Sequence, residues 1–153
     1  MFNIAIDGPA GAGKSSIARA AAANLGFIYV DTGALYRTVA LAAIRKGLGP
    51  GEKDAIIALL PDIDVTMGFV DGEQRVFLNG EDVSEDIRLP EVSAAASTVS
   101  AIQEVRQFLF DLQRDMAKTN DVLMDGRDIG TVVSSRTASS ACFSGAISRW
   151  VSW

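Results

Sequence analysis

The sequence predicts an α/β fold built on a parallel β-sheet. Short apolar segments at residues 2–6, 27–30 and 122–124 have the length and composition of buried strands. Helix-forming segments separate them, and crossovers of this kind make neighbouring strands parallel. Between residues 62 and 90 the pattern changes to short strands with turn dipeptides, which predicts a small antiparallel insert.

The segment after the first strand predicts a phosphate-binding loop. Residues 8–15 match Gly-x4-Gly-Lys-Ser, in which glycines turn backbone N–H groups toward an anion and the next helix adds its positive end. We expect Lys14 to reach the β- and γ-phosphates of a bound nucleotide and the Ser15 hydroxyl to bind Mg²⁺. The alternative is a glycine-rich turn with a solvated lysine. The predicted nucleotide-binding residues are Gly8, Pro9, Ala10, Gly11, Ala12, Gly13, Lys14, Ser15 and Ser16.

The helices are predicted from apolar spacing and from residues that start or stop helices. Gly26 and Gly47 follow the first two helices, Pro61 stops the third, and Pro90 suits a first helical position. In the last helix an apolar stripe at residues 105, 108, 109, 112 and 116 indicates a core-facing surface. The predicted helical ranges are 16–25, 35–46, 52–60, 90–101 and 103–118.

The insert is predicted as strands at 63–67 and 74–78 with a stub at Val83. Asp71-Gly72 and Asn79-Gly80 are hairpin turn dipeptides. The third core strand leads into Asp125, where an acid of the Walker B type holds Mg²⁺ or its water shell.

Composition narrows the function further. The chain of 153 residues contains no histidine, which excludes Ser-His-Asp triads and His-ligated zinc. A net charge of −5 argues against nucleic-acid and anionic-membrane partners. Cys142 is the only cysteine, and neither a signal peptide nor a run of about 18 apolar residues is found. We expect a cytoplasmic monomer of one domain.

Four segments together resemble the bacterial cytidylate kinase family of P-loop nucleoside monophosphate kinases: residues 6–15, 31–37, 80–83 and 125–133. The resemblance covers residues 1–133. It implies a P-loop parallel sheet, a monophosphate-binding arm formed by the insert, a mobile lid, and transfer of the ATP γ-phosphoryl group to CMP or dCMP.

The resemblance also implies roles for individual residues. Arg37 and Arg127 would hold the acceptor phosphate and, with Lys14, serve catalysis, since a guanidinium binds phosphate oxygens bidentately. Thr32 and Tyr36 would contact the nucleotide. Ser97, Arg106 and Asp128 would face cytosine, whose exocyclic amine needs an acceptor. Without the resemblance, Arg37 and Arg106 are interpreted as solvated charges on helices, Asp128 as a helix cap and Ser97 as a packing residue.

The sequence departs from the family after residue 133. Residues 134–153 hold both tryptophans, the only cysteine and seven serines, but no acid or lysine. We therefore expect a kinase core at 1–133, with its insert at about 62–90, and an unrelated tail at 134–153. The family's last core strands and arginine-rich lid would be missing, which predicts a truncated chain of low activity.

Truncation would leave the first strand with an unpaired apolar edge, unless residues 141–147 cover it as a substitute strand. Two other functions stay open: a non-catalytic nucleotide-binding fragment, or another small-substrate P-loop kinase. A P-loop GTPase is disfavoured because the sequence has no Asn-Lys-x-Asp motif.

Overall fold

The computed structural model describes residues 3–6, 13–49, 51–125 and 142–143. The strands are β1 (Asn3–Ile6), β2 (Ile28–Asp31), β3 (Val65–Val70), β4 (Glu73–Leu78), β5 (Glu81–Asp82), β6 (Val122–Asp125) and β7 (Cys142–Phe143). The helices are α1 (Lys14–Leu25), α2 (Thr32–Arg45), α3 (Lys53–Leu59), α4 (Pro90–Val99) and α5 (Gln103–Thr119), with 3-10 helices at Leu60–Asp62 and Asp86–Arg88.

The predicted α/β fold is confirmed. The main sheet has the order β2-β6-β1-β7, and every pair in it is parallel. Strand β6, which follows β1 and β2 by about a hundred residues in sequence, lies between them. The carboxyl ends of β1, β2 and β6 are therefore at one edge of the sheet, in a row formed by Ile6, Asp125 and Asp31.

The edge of β1 that truncation would leave unpaired is covered in part by the predicted substitute strand. Cys142 and Phe143 pair with Ala5 and Ile6 in parallel register, within the range named as a possible substitute strand. The substitute is two residues long and so covers only the carboxyl half of β1. The division into a core at 1–133 and an unrelated tail stays a prediction.

The insert is a three-stranded antiparallel sheet of order β3-β4-β5. Both predicted hairpin turns form, with positive φ at Asp71 and Gly72 (52° and 80°) and at Asn79 and Gly80 (50° and 84°). Two consecutive positive φ values define the type I′ turn, whose twist matches that of the flanking strands. The third strand comprises Glu81–Asp82, so it lies just before the predicted stub at Val83.

Helix boundaries follow local chemistry. Gly26 ends α1 with a φ of 70°, and Pro90 is the first residue of α4. Helix α2 begins at Thr32, three residues earlier than predicted, because Asp31 caps it. None of the helices in the described ranges combines the length and apolar character that crossing a bilayer requires.

One large hydrophobic core joins the two sheets. It contains Val30 and Met124 of the main sheet, Val65 and Leu78 of the insert, and the buried faces of α2, α4 and α5. The predicted stripe of α5 lies against this core, with Val105 and Leu109 fully buried. A second cluster packs α1 on the other face of the main sheet and includes Ala18, Tyr29 and Leu123.

Candidate phosphate and metal site

Asp125 is the centre of the candidate site, at the carboxyl end of β6. Its side chain is buried, and its Oδ2 accepts a hydrogen bond from the Ser15 hydroxyl at 2.7 Å. The same Oδ2 accepts a second hydrogen bond from the Tyr29 hydroxyl at 2.9 Å. The structure therefore brings the two predicted metal-binding residues, Ser15 and Asp125, into direct contact.

A hydroxyl and a carboxylate are oxygen donors of the kind that Mg²⁺ prefers, so this pair fits the ion. Within the described ranges no group of three or more His, Cys, Asp or Glu side chains could hold a metal ion. A Mg²⁺ ion at Ser15 and Asp125 would therefore complete its coordination with water and nucleotide phosphate oxygens, as Mg²⁺ commonly does.

Tyr29 reaches the site from β2. Burial raises the pKa of Tyr29 to about 12, and its hydrogen bond to Asp125 and the negative charge of Asp31 act in the same direction. The phenol therefore keeps its proton at neutral pH and acts toward Asp125 as a donor. The Arg19 guanidinium carbon lies over the Tyr29 ring, 5.4 Å from its centroid.

Asp31 ends β2 and caps α2. Its Oδ1 accepts hydrogen bonds from the Gly33 and Ala34 amides at 2.8 and 3.3 Å, which satisfies two of the free donors of the first turn. Its Oδ2 faces two guanidinium groups, at 3.4 Å from Arg37 and 4.0 Å from Arg19. Asp31 thus holds two cations beside the start of α2.

Arg37 lies in the second turn of α2, and its guanidinium group includes a buried nitrogen, Nε, without a hydrogen-bond partner among the described residues. A Cβ on Gly33 would lie 3.1 Å from Asp31 Oδ1 and 3.2 Å from Arg37 Nη1, so a larger residue would crowd this contact. A buried unpaired guanidinium nitrogen is costly unless a ligand completes it, and phosphate oxygens suit it well.

Thr32 and Tyr36, also predicted to contact the nucleotide, flank this arginine on α2. The Thr32 hydroxyl donates to the Asp125 carbonyl oxygen at 3.3 Å, so it lies at the same sheet edge. Tyr36 is half-buried and packs against the main core. Thr32 is therefore at the candidate site by direct contact, whereas Tyr36 has a packing role in this structure.

Ser97 and Arg106 are both exposed, on α4 and α5. Ser97 uses its carbonyl oxygen to accept from the Ser100 hydroxyl at 2.8 Å. Within the described residues, the Arg37 side chain pairs with Asp31 rather than with either of these two residues. Their predicted contacts with cytosine stay predictions.

The rest of the predicted site falls outside what the structure describes. Gly8, Pro9, Ala10, Gly11, Ala12, Arg127 and Asp128 lie outside the described residues, and Lys14 is described only as the first residue of α1. Gly13 has a φ of 72°, and Ser15 and Ser16 in the first turn of α1 are exposed. A positive φ at the entrance to a helix is the conformation for which glycine is suited.

A cavity of about 550 Å³ lies between α1, β2 and the β3–β4 hairpin. Arg19, Asp31 and Arg37 line one side of it, and Arg75 and Arg88 line another. Thr32, Ser97 and Arg106 do not line it, so the cavity supports no assignment of the base-binding half of the site.

Sequence reasoning missed three residues that organise the site: Tyr29, Arg19 and Gln74. Tyr29 was interpreted as a strand residue only, although it lies two positions before Asp31 and so shares its face of the strand. Gln74 contacts the main chain of Tyr29 from the insert, accepting from its amide at 2.8 Å and donating to its carbonyl oxygen. No sequence signal indicates a contact of this kind between distant segments.

The parallel sheet, the helix that follows the phosphate-loop motif and the Ser15–Asp125 pair are those of a truncated P-loop kinase fold. The sequence model described as cytidylate kinase matches residues 4–146, and the chain belongs to that family. The match continues past residue 133, into the segment that the sequence analysis set apart.

Curated relatives agree. A cytidylate kinase from Caldicellulosiruptor bescii is 53% identical over 132 residues, which are 86% of this chain and 58% of the relative. One from Pelotomaculum thermopropionicum is 54% identical over 132 residues, with the same coverage of both chains. One from Lactobacillus johnsonii is 49% identical over 133 residues, 87% of this chain and 58% of the relative. The chain thus spans somewhat more than half the length of these relatives.

Proposed function

We propose that this chain binds ATP with Mg²⁺ and a cytidine monophosphate, and that the protein transfers the γ-phosphoryl group of ATP to CMP or dCMP. The observation that carries the proposal is the 2.7 Å contact between Ser15, which ends the phosphate-loop motif, and Asp125, which ends the neighbouring strand. In P-loop enzymes a serine and an acid in these two places hold the metal that bridges the β- and γ-phosphates.

The acceptor phosphate is assigned to Arg37 and Thr32, with Arg127 as a second cation. Arg37 supports this role with a buried Nε that has no partner among the described residues, beside the N-terminus of α2. Tyr36, Ser97, Arg106 and Asp128 are proposed to contact the nucleoside, on the grounds of the family resemblance.

The proposed chemistry needs no histidine and no protein base. The attacking group is an oxygen of the acceptor monophosphate, which is ionised at neutral pH. Catalysis of phosphoryl transfer consists mainly of positioning the two phosphates and neutralising their charge. Lys14, Arg37 and Arg127 are the cations assigned to that task.

A coupled assay of ADP formation tests the proposal. We expect slow ADP formation, in keeping with the low activity predicted for a truncated chain, that requires ATP, Mg²⁺ and either CMP or dCMP and is weaker still with UMP or AMP. Asp125→Asn should lower the rate by about tenfold or more, because it removes a charge from the metal site. Asp115→Asn, which alters an exposed acid paired with Lys118 on α5, is the matched control and should leave the rate unchanged.

Binding measurements separate the alternatives. ATP binding without any ADP formation would favour the non-catalytic nucleotide-binding fragment. Turnover with AMP or shikimate that exceeds turnover with CMP would favour another small-substrate kinase. We further propose a cytoplasmic monomer, and light scattering after gel filtration would test the oligomeric state.

A further inference from the structure

We propose that Tyr29 is a positioning residue for the metal-binding carboxylate of Asp125. The Tyr29 hydroxyl would hold the Asp125 carboxylate in the orientation in which its Oδ2 also accepts the hydrogen bond from the Ser15 hydroxyl. This inference rests on the proposed function, because it concerns the metal that accompanies ATP. It adds a residue that lies outside the phosphate loop and outside the residues assigned to either nucleotide.

The first step is the shared acceptor. Ser15 and Tyr29 both donate to Oδ2 of Asp125, at 2.7 and 2.9 Å. The terminal torsion of an aspartate is broad, so a single hydrogen bond leaves the carboxylate plane loosely defined. Two donors that arrive at one oxygen from different elements, α1 and β2, restrict that rotation.

The second step is that the ring of Tyr29 is itself fixed. It is buried in the cluster that contains Ala18, Ala22 and Leu123. The Arg19 guanidinium covers one face of the ring. A side chain held in this way presents its hydroxyl in one position, which is what a positioning residue requires.

The third step is that the backbone of Tyr29 is also held. Among the described strands β2 is an edge of the main sheet, so the outer N–H and C=O groups of Tyr29 face no strand in that part of the chain. The Gln74 side chain satisfies both groups, accepting from the amide at 2.8 Å and donating to the carbonyl oxygen. The insert therefore closes the sheet edge at the residue whose hydroxyl reaches Asp125.

The expected consequence concerns the metal. Hydrogen-bond partners of metal ligands orient those ligands, and their removal typically costs about 10–100-fold in metal affinity or activity. Losing the Tyr29 hydroxyl should therefore weaken the contribution of Mg²⁺ to ATP binding. The contribution of the loop amides, which does not pass through Asp125, should stay the same.

The test compares the Tyr29→Phe variant with the unaltered chain by calorimetric titration with ATP. Each protein is titrated at several Mg²⁺ concentrations and again in EDTA, where no free Mg²⁺ is present. In Tyr29→Phe we expect the gain in ATP affinity from Mg²⁺ to fall by about tenfold. The affinity in EDTA should change by less than about twofold. Thr38→Val is the matched control, because it also removes a buried hydroxyl bond, from Thr38 to the Ala34 carbonyl within α2.

An Mg²⁺ gain in Tyr29→Phe equal to that of the unaltered chain would overturn the inference. So would an equal loss of ATP affinity with Mg²⁺ and with EDTA, or the same loss of Mg²⁺ gain in Thr38→Val, since each indicates a general structural effect. If the unaltered chain itself shows no Mg²⁺-dependent ATP binding, the proposed function fails before the inference is reached.

A second measurement needs no substitution at Tyr29. The chain has two tyrosines, so labelling with 3-fluorotyrosine gives two ¹⁹F resonances, which Tyr36→Phe would assign. The chemical shift of the Tyr29 resonance should change when Mg²⁺ is added to the ATP complex. The midpoint of this change should occur at the same Mg²⁺ concentration as in the calorimetric titration. An unchanged Tyr29 chemical shift on addition of Mg²⁺ would overturn the inference, even if the Tyr29→Phe variant does not fold.

Discussion

Asp31 shows how a single side chain links folding to the candidate site. One carboxylate oxygen caps α2, and the other holds Arg37 and Arg19. Capping by aspartate is typically worth about 1 kcal/mol of helix stability. Because Asp31 both caps α2 and pairs with Arg37, it holds the Arg37 guanidinium close to the first turn of the helix.

Arg37→Lys should weaken CMP binding while leaving ATP binding unchanged. Lysine keeps the charge but loses the planar fork that binds two phosphate oxygens. It also removes the buried Nε that has no partner among the described residues. Hydrogen bonds to charged groups contribute about 1.5–3 kcal/mol, so we expect CMP affinity to fall by roughly 10–100-fold. Calorimetric titration with CMP and then with ATP measures both effects.

Arg45→Lys is the control for this prediction. Arg45 lies at the end of the same helix, where it pairs with Glu81 and Asp86, two acids that are not among the proposed site residues. Its replacement should leave CMP affinity within about twofold, as surface ion pairs contribute little. Equal CMP affinity in Arg37→Lys and the unaltered chain would remove Arg37 from the acceptor site.

Asp82 in the insert is expected to titrate far below an ordinary aspartate. Hydrogen bonds from the Ser84 hydroxyl and amide, followed by one from Arg75, lower the pKa of Asp82 from 3.8 to about 2. Because the folded pKa is lowered, the stabilisation from this carboxylate is present above pH 3.8 and is lost as the pH falls through about 2. Carboxyl ¹³C resonances followed against pH would measure it.

Ser84→Ala should raise this pKa toward its ordinary value without restoring it fully. The variant loses the hydroxyl bond of 2.6 Å but keeps the amide bond of 3.0 Å. Asp115, whose pKa is lowered mainly by a hydrogen bond from Lys118, is the internal control and should not change. An unchanged Asp82 midpoint in Ser84→Ala would contradict the assigned cause.

At the scale of elements, the hairpin turns depend on backbone conformation more than on space. Gly80 has a φ of 84°, and an added Cβ would meet nothing within 4 Å. Gly80→Ala should therefore destabilise the protein by about 1–2 kcal/mol through left-handed strain alone. Urea unfolding monitored by circular dichroism measures the free energy of unfolding.

Gly51→Ala is the matched control for Gly80→Ala. A Cβ at Gly51 also meets nothing within 4 Å, but the φ of this glycine lies outside the left-handed region. The substitution should be neutral or stabilise by up to about 1 kcal/mol, because alanine restricts the unfolded chain. If both variants lost the same stability, strain at the turn could not be the cause.

These elements also show why parts of the structure were predictable from the sequence. Asn79-Gly80 predicts its turn because the required φ values depend on two adjacent residues. Asp125 was found because an acid after a buried strand follows the phosphate-loop motif. In contrast, the bond from Tyr29 to Asp125 depends on the register between β2 and β6, which are distant in sequence.

The same reasoning explains the other differences between prediction and structure. The sequence predicts α2 from residue 35, whereas the helix begins at Thr32, because the Asp31 side chain caps it. The pairing of Cys142–Phe143 with β1 falls within the named range 141–147, but which two residues pair depends on a contact between segments far apart in sequence. Gln74 was also missed because its partner, Tyr29, lies 45 residues away.

At the scale of the whole molecule, the insert and the kinase core share one interior. Val65, Val76 and Leu78 of the insert belong to the same buried cluster as Val30, Val122 and Met124 of the main sheet. Elements that bury a common cluster lose it together, so we expect one cooperative unfolding transition. The insert therefore helps to stabilise the main sheet, which carries Asp125, although the insert strands form a separate sheet.

Val65→Ala tests this coupling. Val65 is 1% exposed in β3, and removing two buried methyl groups should cost about 2 kcal/mol. If the core is shared, hydrogen exchange of the Leu123 amide in β6 should show the same loss of protection as amides in β4. That result would mean that damage in the insert reaches the strand that carries Asp125.

Val70→Ala supplies the control from the same strand. Val70 ends β3 and is 46% exposed, so the same chemical change there removes little buried surface. Its effect should stay within about 0.5 kcal/mol, as for surface substitutions in general. If Val65→Ala lowers the hydrogen-exchange protection of amides in β3, β4 and β5 but not that of Leu123, the insert unfolds independently. In that case the position of Asp125 would not depend on the insert core.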